Sequence, residues 1–139
     1  MNTSLISFRR LAFISAIAGL ALALNTGCST MADAMQGRGT GQSVAYQASF
    51  DEIWAALPSA VNAAGLKFVA ANRDDRSVLA QRGITAFSYG ENVAIFVDPL
   101  TGQKQRVEVV SKKAMATNVF APSWAKPIFA ELDKKFSRE

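Results

Sequence analysis

The sequence predicts an α+β fold, a two-layer sandwich, and three observations lead to it. Two stretches, 49–65 and 122–136, have apolar residues at the spacing of an α-helix. Between them lie four segments that alternate in polarity or are rich in β-branched residues, separated by polar turns. With one more strand before the first helix, this order, β-α-β-β-β-β-α, favours an antiparallel sheet of four to five strands with two helices on one face.

The first strand and the first helix are predicted in residues 44–65. Val44–Ser49 alternates in polarity, as a half-buried strand does. Ser49–Glu52 fits the S-x-x-E capping box, so we interpret its two carboxylates as helix caps and not as catalytic groups. Gly65 ends the helix, and Pro58 within it predicts a kink.

Two hairpins follow the first helix. Each pairs two short strands across a polar turn: 66–71 with 76–82 across 72–75, and 93–97 with 103–111 across 98–102. Residues 112–121 are predicted as a loop, and residues 83–92 as a loop for which strand extensions at each end stay open.

The last helix is predicted at Pro122–Phe136, with Ser123 as its N-cap. An apolar stripe, formed by Trp124, Ile128, Leu132 and Phe136, would face the sheet.

Strict alternation assigns the strand side chains to two faces of the sheet. One apolar set faces the helices: Phe68, Val78, Ile95, Val107 and Val109. The opposite face holds a second apolar set, beside Lys67, Arg106 and Glu108: Val69, Leu79, Phe96 and Val110. A face in contact with water should be more polar, so two interpretations stay open. The second set is covered by cross-strand packing or by loop 112–121, or it is a contact surface for a partner protein or for a second copy in a homodimer.

A second candidate site lies in and around the predicted loops. It consists of five large apolar residues: Phe87, Tyr89, Met115, Phe120 and Trp124. They either line a groove for an apolar ligand between helix and sheet or belong to the core. Ser111, next to Lys112 and Lys113, is interpreted as part of a charged strand end, because neighbours on a strand point to opposite faces.

The N-terminal stretch has the pattern of an export signal. Arg9 and Arg10 precede the apolar run Leu11–Leu24, which leads to Thr26–Ser29 around the only cysteine, Cys28. A spanning helix needs about 20 apolar residues, and this run is shorter. We therefore divide the chain into three parts: a signal peptide at 1–27, an acylated cysteine and tether at 28–43, and one domain at 44–139.

In residues 1–28 the chain resembles a bacterial lipoprotein precursor, in which a small residue precedes the cysteine that becomes the lipid anchor. The resemblance implies that Cys28 is acylated on its sulfur, becomes the new N-terminus and is acylated again on its amino group. Because Ser29 is not acidic, the same resemblance implies sorting to the outer membrane, on its periplasmic side. Two or more acyl chains, at about 0.8 kcal/mol per buried CH₂, hold a protein stably on a membrane.

The segment after the cysteine is predicted to be a flexible tether. Residues 30–43 are rich in Gly, Ser, Thr, Ala and Gln. A coil of this length spans about 20 Å root mean square, which would lift the domain clear of the lipid headgroups without fixing its orientation.

Composition excludes several classes of function. The chain has no histidine and one cysteine, which excludes a histidine-based triad, a Cys/His zinc site and a redox pair. Removal of residues 1–27 takes away two of the 15 basic residues and none of the 11 acidic ones, so the remaining side chains have a net charge of +2. No basic patch indicates binding to nucleic acid. We therefore expect no enzymatic activity, no metal and no cofactor.

Residues 44–136 resemble the helix-grip and BamC-like domains of small proteobacterial envelope lipoproteins. The resemblance rests on the order of the elements and on the F-x-x-I-W start of the first helix, Phe50–Trp54. Many such domains have no known function, so the expected activity depends on the anchor and on the absent catalytic residue types. We expect a non-enzymatic envelope lipoprotein that acts through protein–protein contacts. The alternative is a periplasmic binding module for a lipid or another apolar small molecule.

Overall fold

A computed structural model describes residues 29–84, 90–113 and 123–139. Its elements follow in the order α1 (Met31–Gln36), β1 (Gln42–Tyr46), α2 (Phe50–Ala63), β2 (Lys67–Asn72), β3 (Ser77–Arg82), β4 (Glu91–Leu100), β5 (Lys104–Lys113) and α3 (Ala125–Leu132). The predicted α+β class is confirmed. Five antiparallel strands form one sheet in the spatial order β1-β5-β4-β3-β2, and helices pack on it.

The main core lies between the sheet and the helices α2 and α3. The strand residues predicted to face the helices all belong to it, with Phe68 partly buried and the others almost completely buried: Val78, Ile95, Val107 and Val109. From the helices, the core takes Ile53, Leu57 and Val61 of α2 and Ile128 and Leu132 of α3. The strand residues selected by alternation and the helix residues selected by 3.6-residue spacing therefore pack together in one apolar layer, as the sequence predicts.

The start of α2 confirms the interpretation of Glu52 as a cap, whereas Asp51 is paired with Arg73. The Ser49 side chain accepts a hydrogen bond from the Glu52 amide at 3.4 Å, and the Glu52 carboxylate accepts one from the Ser49 amide at 2.9 Å. The helix then continues through Pro58 to Ala63. These contacts give the Glu52 carboxylate a structural partner, so it is not free for acid–base chemistry.

The last helix is shorter than predicted, and its predicted cap is wrong. It begins at Ala125, after Trp124 in the N-cap position, and no side chain caps it. This start places Pro127 in the first turn, where a missing amide breaks no helical hydrogen bond; a start at 122 would have cost one. The helix ends at Leu132 because the chain then turns back towards β1, where Ser137 and Glu139 bond to the strand backbone.

The central strand β4 is longer than predicted at both ends. It was expected at 93–97 but runs from Glu91 to Leu100. Both neighbours extend the ladder: Arg82 of β3 pairs with Glu91, and Lys104 of β5 pairs with Leu100. Pairing with β5 therefore continues through Pro99 and Leu100, and the turn predicted at 98–102 is confined to residues 101–103, which include Gly102.

Candidate functional site

The predicted tether is folded against the second face of the sheet. Residues 29–41, here called the N-terminal strap, contain α1, which packs on β4 and β5. Ala34 of α1 is completely buried in a cluster with Ala94, Phe96 and Val110. The expectation of a flexible tether in residues 30–43 is therefore wrong, because this segment has its own helix, its own apolar contacts and the start of β1.

The strap corrects the predicted partner surface. Phe96 and Val110 are only 1% and 3% exposed, since α1 covers them, and Leu79 is partly buried at the margin of the same cluster. Val69 alone remains widely accessible, at 46% exposure. The second apolar set thus forms mainly a small inner core. Among the described residues its cover is the strap, and residues 114–121 of the predicted loop lie outside the described part of the chain.

The glycines of the strap allow close contact with β5. A Cβ atom at Gly37 would lie 2.6 Å from the Val110 Cγ1 atom, and one at Gly41 would lie 2.5 Å from the Val109 carbonyl oxygen. Real Cβ atoms do not approach so closely, so these positions require glycine for packing. The glycine content that suggested a flexible coil therefore has a different cause.

We expect Gly41→Ala to lower the free energy of unfolding by about 2 kcal/mol, the usual cost of overpacking. The new methyl group would meet backbone atoms of Val109, which cannot rotate away. Urea denaturation followed by circular dichroism measures the effect.

The matched control is Gly83→Ala, because a Cβ atom there meets nothing within 4 Å. This control should change stability by less than about 0.5 kcal/mol. If both alanine variants were equally stable, the strap would not be packed on β5 as described.

A buried carboxylate fixes the end of the strap. Glu108 of β5 is 4% exposed. Its Oε1 atom accepts hydrogen bonds from the amides of Gly39 at 2.8 Å and Gly41 at 2.7 Å, and its Oε2 atom accepts from Gly39 at 3.0 Å. Bonds from two backbone amides offset the cost of burying the charge. Glu108 was predicted to lie on this face and is explained by these contacts.

Arg38 closes the strap over Phe96. Its guanidinium lies 4.8 Å from the centroid of the Phe96 ring and is bonded to the carboxylate of Asp98. A second bond, of 3.2 Å, reaches the carbonyl oxygen of Asp75 in the β2–β3 turn. Burial alone would raise the pKa of Asp98, but hydrogen bonds from Arg106 and Arg38 outweigh it and lower the pKa. The contribution of this carboxylate to stability is therefore lost only as pH falls through that lowered value.

The first residue of the strap is bound to the end of the sheet. The Ser29 hydroxyl donates to the carbonyl oxygen of Lys113, and the Ser29 carbonyl accepts from the Asn92 side chain at 2.9 Å. Asn92 in turn accepts from the Gln81 side chain at 3.1 Å. Cys28, the predicted lipid anchor, directly precedes Ser29 and lies outside the described residues, so its acylation stays a prediction.

The two edges of the sheet differ. The outer edge of β1 is covered by the C-terminal residues, since the Gln47 amide donates to Ser137 and the Glu139 amide donates to Ala45, both at 3.0 Å. Arg138 holds this segment in place through bonds to Asp133 of 2.8 and 2.7 Å. At the opposite edge of the sheet, β2 has no strand beyond it among the residues that the structure describes.

The uncovered edge is apolar and irregular. Five of the six residues of β2 are exposed. The pairing with β3 shifts between Phe68 and Ala70, so Val69 is an extra residue, a β-bulge. Strict alternation, which had assigned Val69 to the second face, does not hold across a bulge. We call strand β2, which includes Val69, the open edge.

The predicted ligand groove is only partly within the described structure. Phe87, Tyr89, Met115 and Phe120 lie outside it. Trp124 is 4% exposed, and the Arg82 guanidinium lies 5.0 Å from the centre of the Trp124 ring. The backbone amide of Trp124 donates to the Ser111 hydroxyl at 3.1 Å. Trp124 thus has the environment of a core residue, and Ser111 has a structural partner.

A cavity of about 250 Å³ lies near this tryptophan, between the strap and the end of β5. Its walls are mainly polar, with Glu91, Ser111 and Lys113 among them. Apolar ligands favour pockets with predominantly apolar walls, so this cavity does not match the predicted groove.

Within the described ranges, no group of three or more acidic, cysteine or histidine side chains is placed to bind a metal ion. No helix in these same ranges is both long and apolar enough to span a bilayer. Comparison with known proteins finds no matching family model and no significant match among curated proteins.

The sequence interpretation missed the strap, although one signal for it exists. Thr30 and Asp33 form a second capping box, in which the Thr30 side chain accepts from the Asp33 amide and the Asp33 carboxylate accepts from the Thr30 amide. The spacing T-x-x-D is the sequence signature of such a box. The backbone bond from Thr30 also lowers the pKa of Asp33. The signature could have identified the start of α1, but nothing local shows where α1 packs.

Proposed function

We propose that the protein is a non-enzymatic lipoprotein, held by acyl chains on Cys28 at the periplasmic side of the outer membrane, which acts through protein contacts at the open edge. The difference between the two sheet edges is the observation that supports this proposal. Within the described part of the chain, the C-terminal residues cover one edge, whereas β2 at the other edge is exposed.

An uncovered strand has backbone amides and carbonyls that can bond to another extended chain. Recognition by strand addition uses these groups for affinity and the nearby side chains for specificity. Val69, at 46% exposure, is one of two large apolar residues that are exposed among those described. The open edge therefore offers both backbone groups and an apolar contact.

The bulge favours a different protein over a second copy of this chain as the partner. Bulges and charged residues such as Lys67 twist or block an edge, so that two regular strands do not pair along their full length. A short extended segment of another envelope protein can pair with Ala70–Asn72, beyond the bulge. This proposal replaces the alternative of a homodimer through the second sheet face, where the strap covers Phe96 and Val110.

The absence of enzymatic activity is part of the proposal. The sequence has no histidine. Glu52 has a structural partner in the α2 cap, Asp51 has one in Arg73, and the Ser111 hydroxyl accepts from the Trp124 amide. The apolar-ligand alternative stays a prediction, since four of its five residues lie outside the described part of the chain.

Site-specific photo-crosslinking in intact cells tests the proposed edge. A photoreactive amino acid at Val69 or Ala71 should give the same discrete adduct with one envelope protein. The matched control is Ala63, which is also exposed but lies on α2, and it should give none.

A second variant tests whether the contact is specific. Val69→Lys places a charge at an exposed position, so it should leave stability within about 0.5 kcal/mol of the parent protein. The adduct formed through Ala71 should nevertheless disappear. Adducts that form equally well at Ala63, or that survive Val69→Lys, would rule out the open edge as the partner site.

A further inference from the structure

Several parts of the chain meet at one end of the sheet. The register places Arg82 at the end of β3, Glu91 at the start of β4 and Lys113 at the end of β5 side by side. Ser29 is bonded to this same end through Lys113 and Asn92. We call it the anchor end. The opposite, distal end holds the turns 73–76 and 101–103.

The residue before Ser29 is the predicted site of acylation. Ser29, the residue bonded to Cys28 in the chain, is itself held at the anchor end by Lys113 and Asn92. The 14-residue coil that would have separated the domain from the membrane does not exist, because strap residues 30–41 are packed on the sheet. The residue that follows the predicted acylation site, Ser29, is therefore bound directly to the domain, and no flexible segment lies between Ser29 and the sheet.

The surface chemistry of the anchor end suits a phospholipid surface. Ile84 is 79% exposed, more than any other large apolar residue described. Lys113 is exposed and Lys112 is partly exposed. Of the carboxylates nearby, Glu91 is 1% exposed, and Asp33 is partly exposed and close enough to Lys112 to offset part of its charge. The accessible charges are therefore mainly basic, and basic residues near a membrane are attracted to anionic headgroups.

We propose that the anchor end rests directly on anionic phospholipid headgroups, with Lys112 and Lys113 near the phosphates and Ile84 at the boundary of the acyl chains. This inference depends on the acylation of Cys28 that the proposed function includes. It adds a fixed orientation: the strands point away from the membrane. β4 has ten residues, and at about 3.3 Å per residue the distal end stands about 30 Å from the headgroups. The open edge is then accessible from the side.

Fluorescence on vesicles tests this orientation with the full-length acylated protein. The environment-sensitive fluorophore NBD is attached to Ile84→Cys at the anchor end or to Asp74→Cys at the distal end. Because the chain has one cysteine and acylation occupies it, the introduced thiol is the only one that takes the label. The vesicles contain phosphatidylethanolamine and phosphatidylglycerol, with a spin-labelled lipid as quencher.

The label at Ile84→Cys should show a blue-shifted emission and several-fold stronger quenching than the label at Asp74→Cys. The difference should decrease in vesicles of neutral phosphatidylcholine alone, because the lysines then have no anionic headgroups nearby. Equal quenching at both positions, on vesicles that retain the protein, would overturn the orientation while leaving the lipid anchor intact.

Failure of the anchor itself gives a different result. An unmodified Cys28 would take a second fluorophore, which intact mass measurement detects, and the protein would not float with the vesicles. That outcome would overturn both the proposed anchor and this inference.

Discussion

Phe96→Ala is expected to lower the free energy of unfolding by about 4 kcal/mol, the usual cost of truncating a buried aromatic residue. Phe96 is 1% exposed and lies beneath α1, in contact with the Ala34 cluster. Its ring also supports the guanidinium of Arg38 at 4.8 Å. The substitution would leave a cavity between the sheet and the strap, and it would remove one of the contacts that hold the strap closed.

Urea denaturation measures this loss, and Val69→Ala is the matched control. Sequence alternation assigns both residues to one face, but Val69 is 46% exposed, so its truncation should cost less than about 1 kcal/mol. If Phe96→Ala instead left stability unchanged and abolished a crosslink to another protein, the ring would be a partner contact after all.

The part of the fold that the sequence predicts well is the main core. The spacing of residues along the sequence shows directly which side chains face that core and which cap a helix. Val107 stands between two polar residues, Ile95 lies in a run rich in β-branched residues, and Ser49 with Glu52 has the spacing of a capping box. These patterns are local, so they need no knowledge of what packs on them.

The strap could not be predicted in the same way. α1 has only six residues, too few for an isolated helix to be stable in water, so its packing on β4 and β5 decides whether it forms. Glycine adds to the ambiguity. A flexible coil and a close backbone contact both select glycine, and only the position of Val109 beside Gly41 shows which applies.

The candidate sites depend even more on tertiary contacts. Strict alternation fails at Val69 because one extra residue enters the strand, and no residue type marks the bulge. The difference between the sheet edges follows from the position of Ser137–Glu139, which no sequence pattern indicated. The bond from Ser29 to Lys113 joins residues 84 positions apart. The bulge, the covered edge and the bond of Ser29 together define the open edge and the anchor end.

Glu108→Leu is expected to lower the free energy of unfolding by about 3 kcal/mol and to release the strap. The substitution removes the acceptor of the Gly39 and Gly41 amides. A buried amide without a partner costs about 1–3 kcal/mol, and the strap can avoid part of that cost by lifting into water. Local opening of residues 30–41 therefore limits the loss, and it should precede global unfolding.

Trypsin can detect this opening, because cleavage after Arg38 requires the strap to leave the sheet. In the parent protein the Arg38 guanidinium is bonded to Asp98 and to Asp75, which holds the peptide bond in place. Glu108→Leu should be cut there much faster than the parent protein. The control Glu139→Leu changes an exposed carboxylate near the C-terminus and should be cut at the parent rate.

The same variant connects the fold to the membrane. Since Glu108 binds the strap between Cys28 and the first strand, release of the strap would convert a fixed attachment into a coil of about 20 Å. The quenching difference between labels at Ile84→Cys and Asp74→Cys should then shrink, although acylation and vesicle binding are unchanged. If Glu108→Leu accelerated cleavage after Arg38 but left that difference intact, contacts of Ile84 and Lys113 with lipid would orient the domain without the strap.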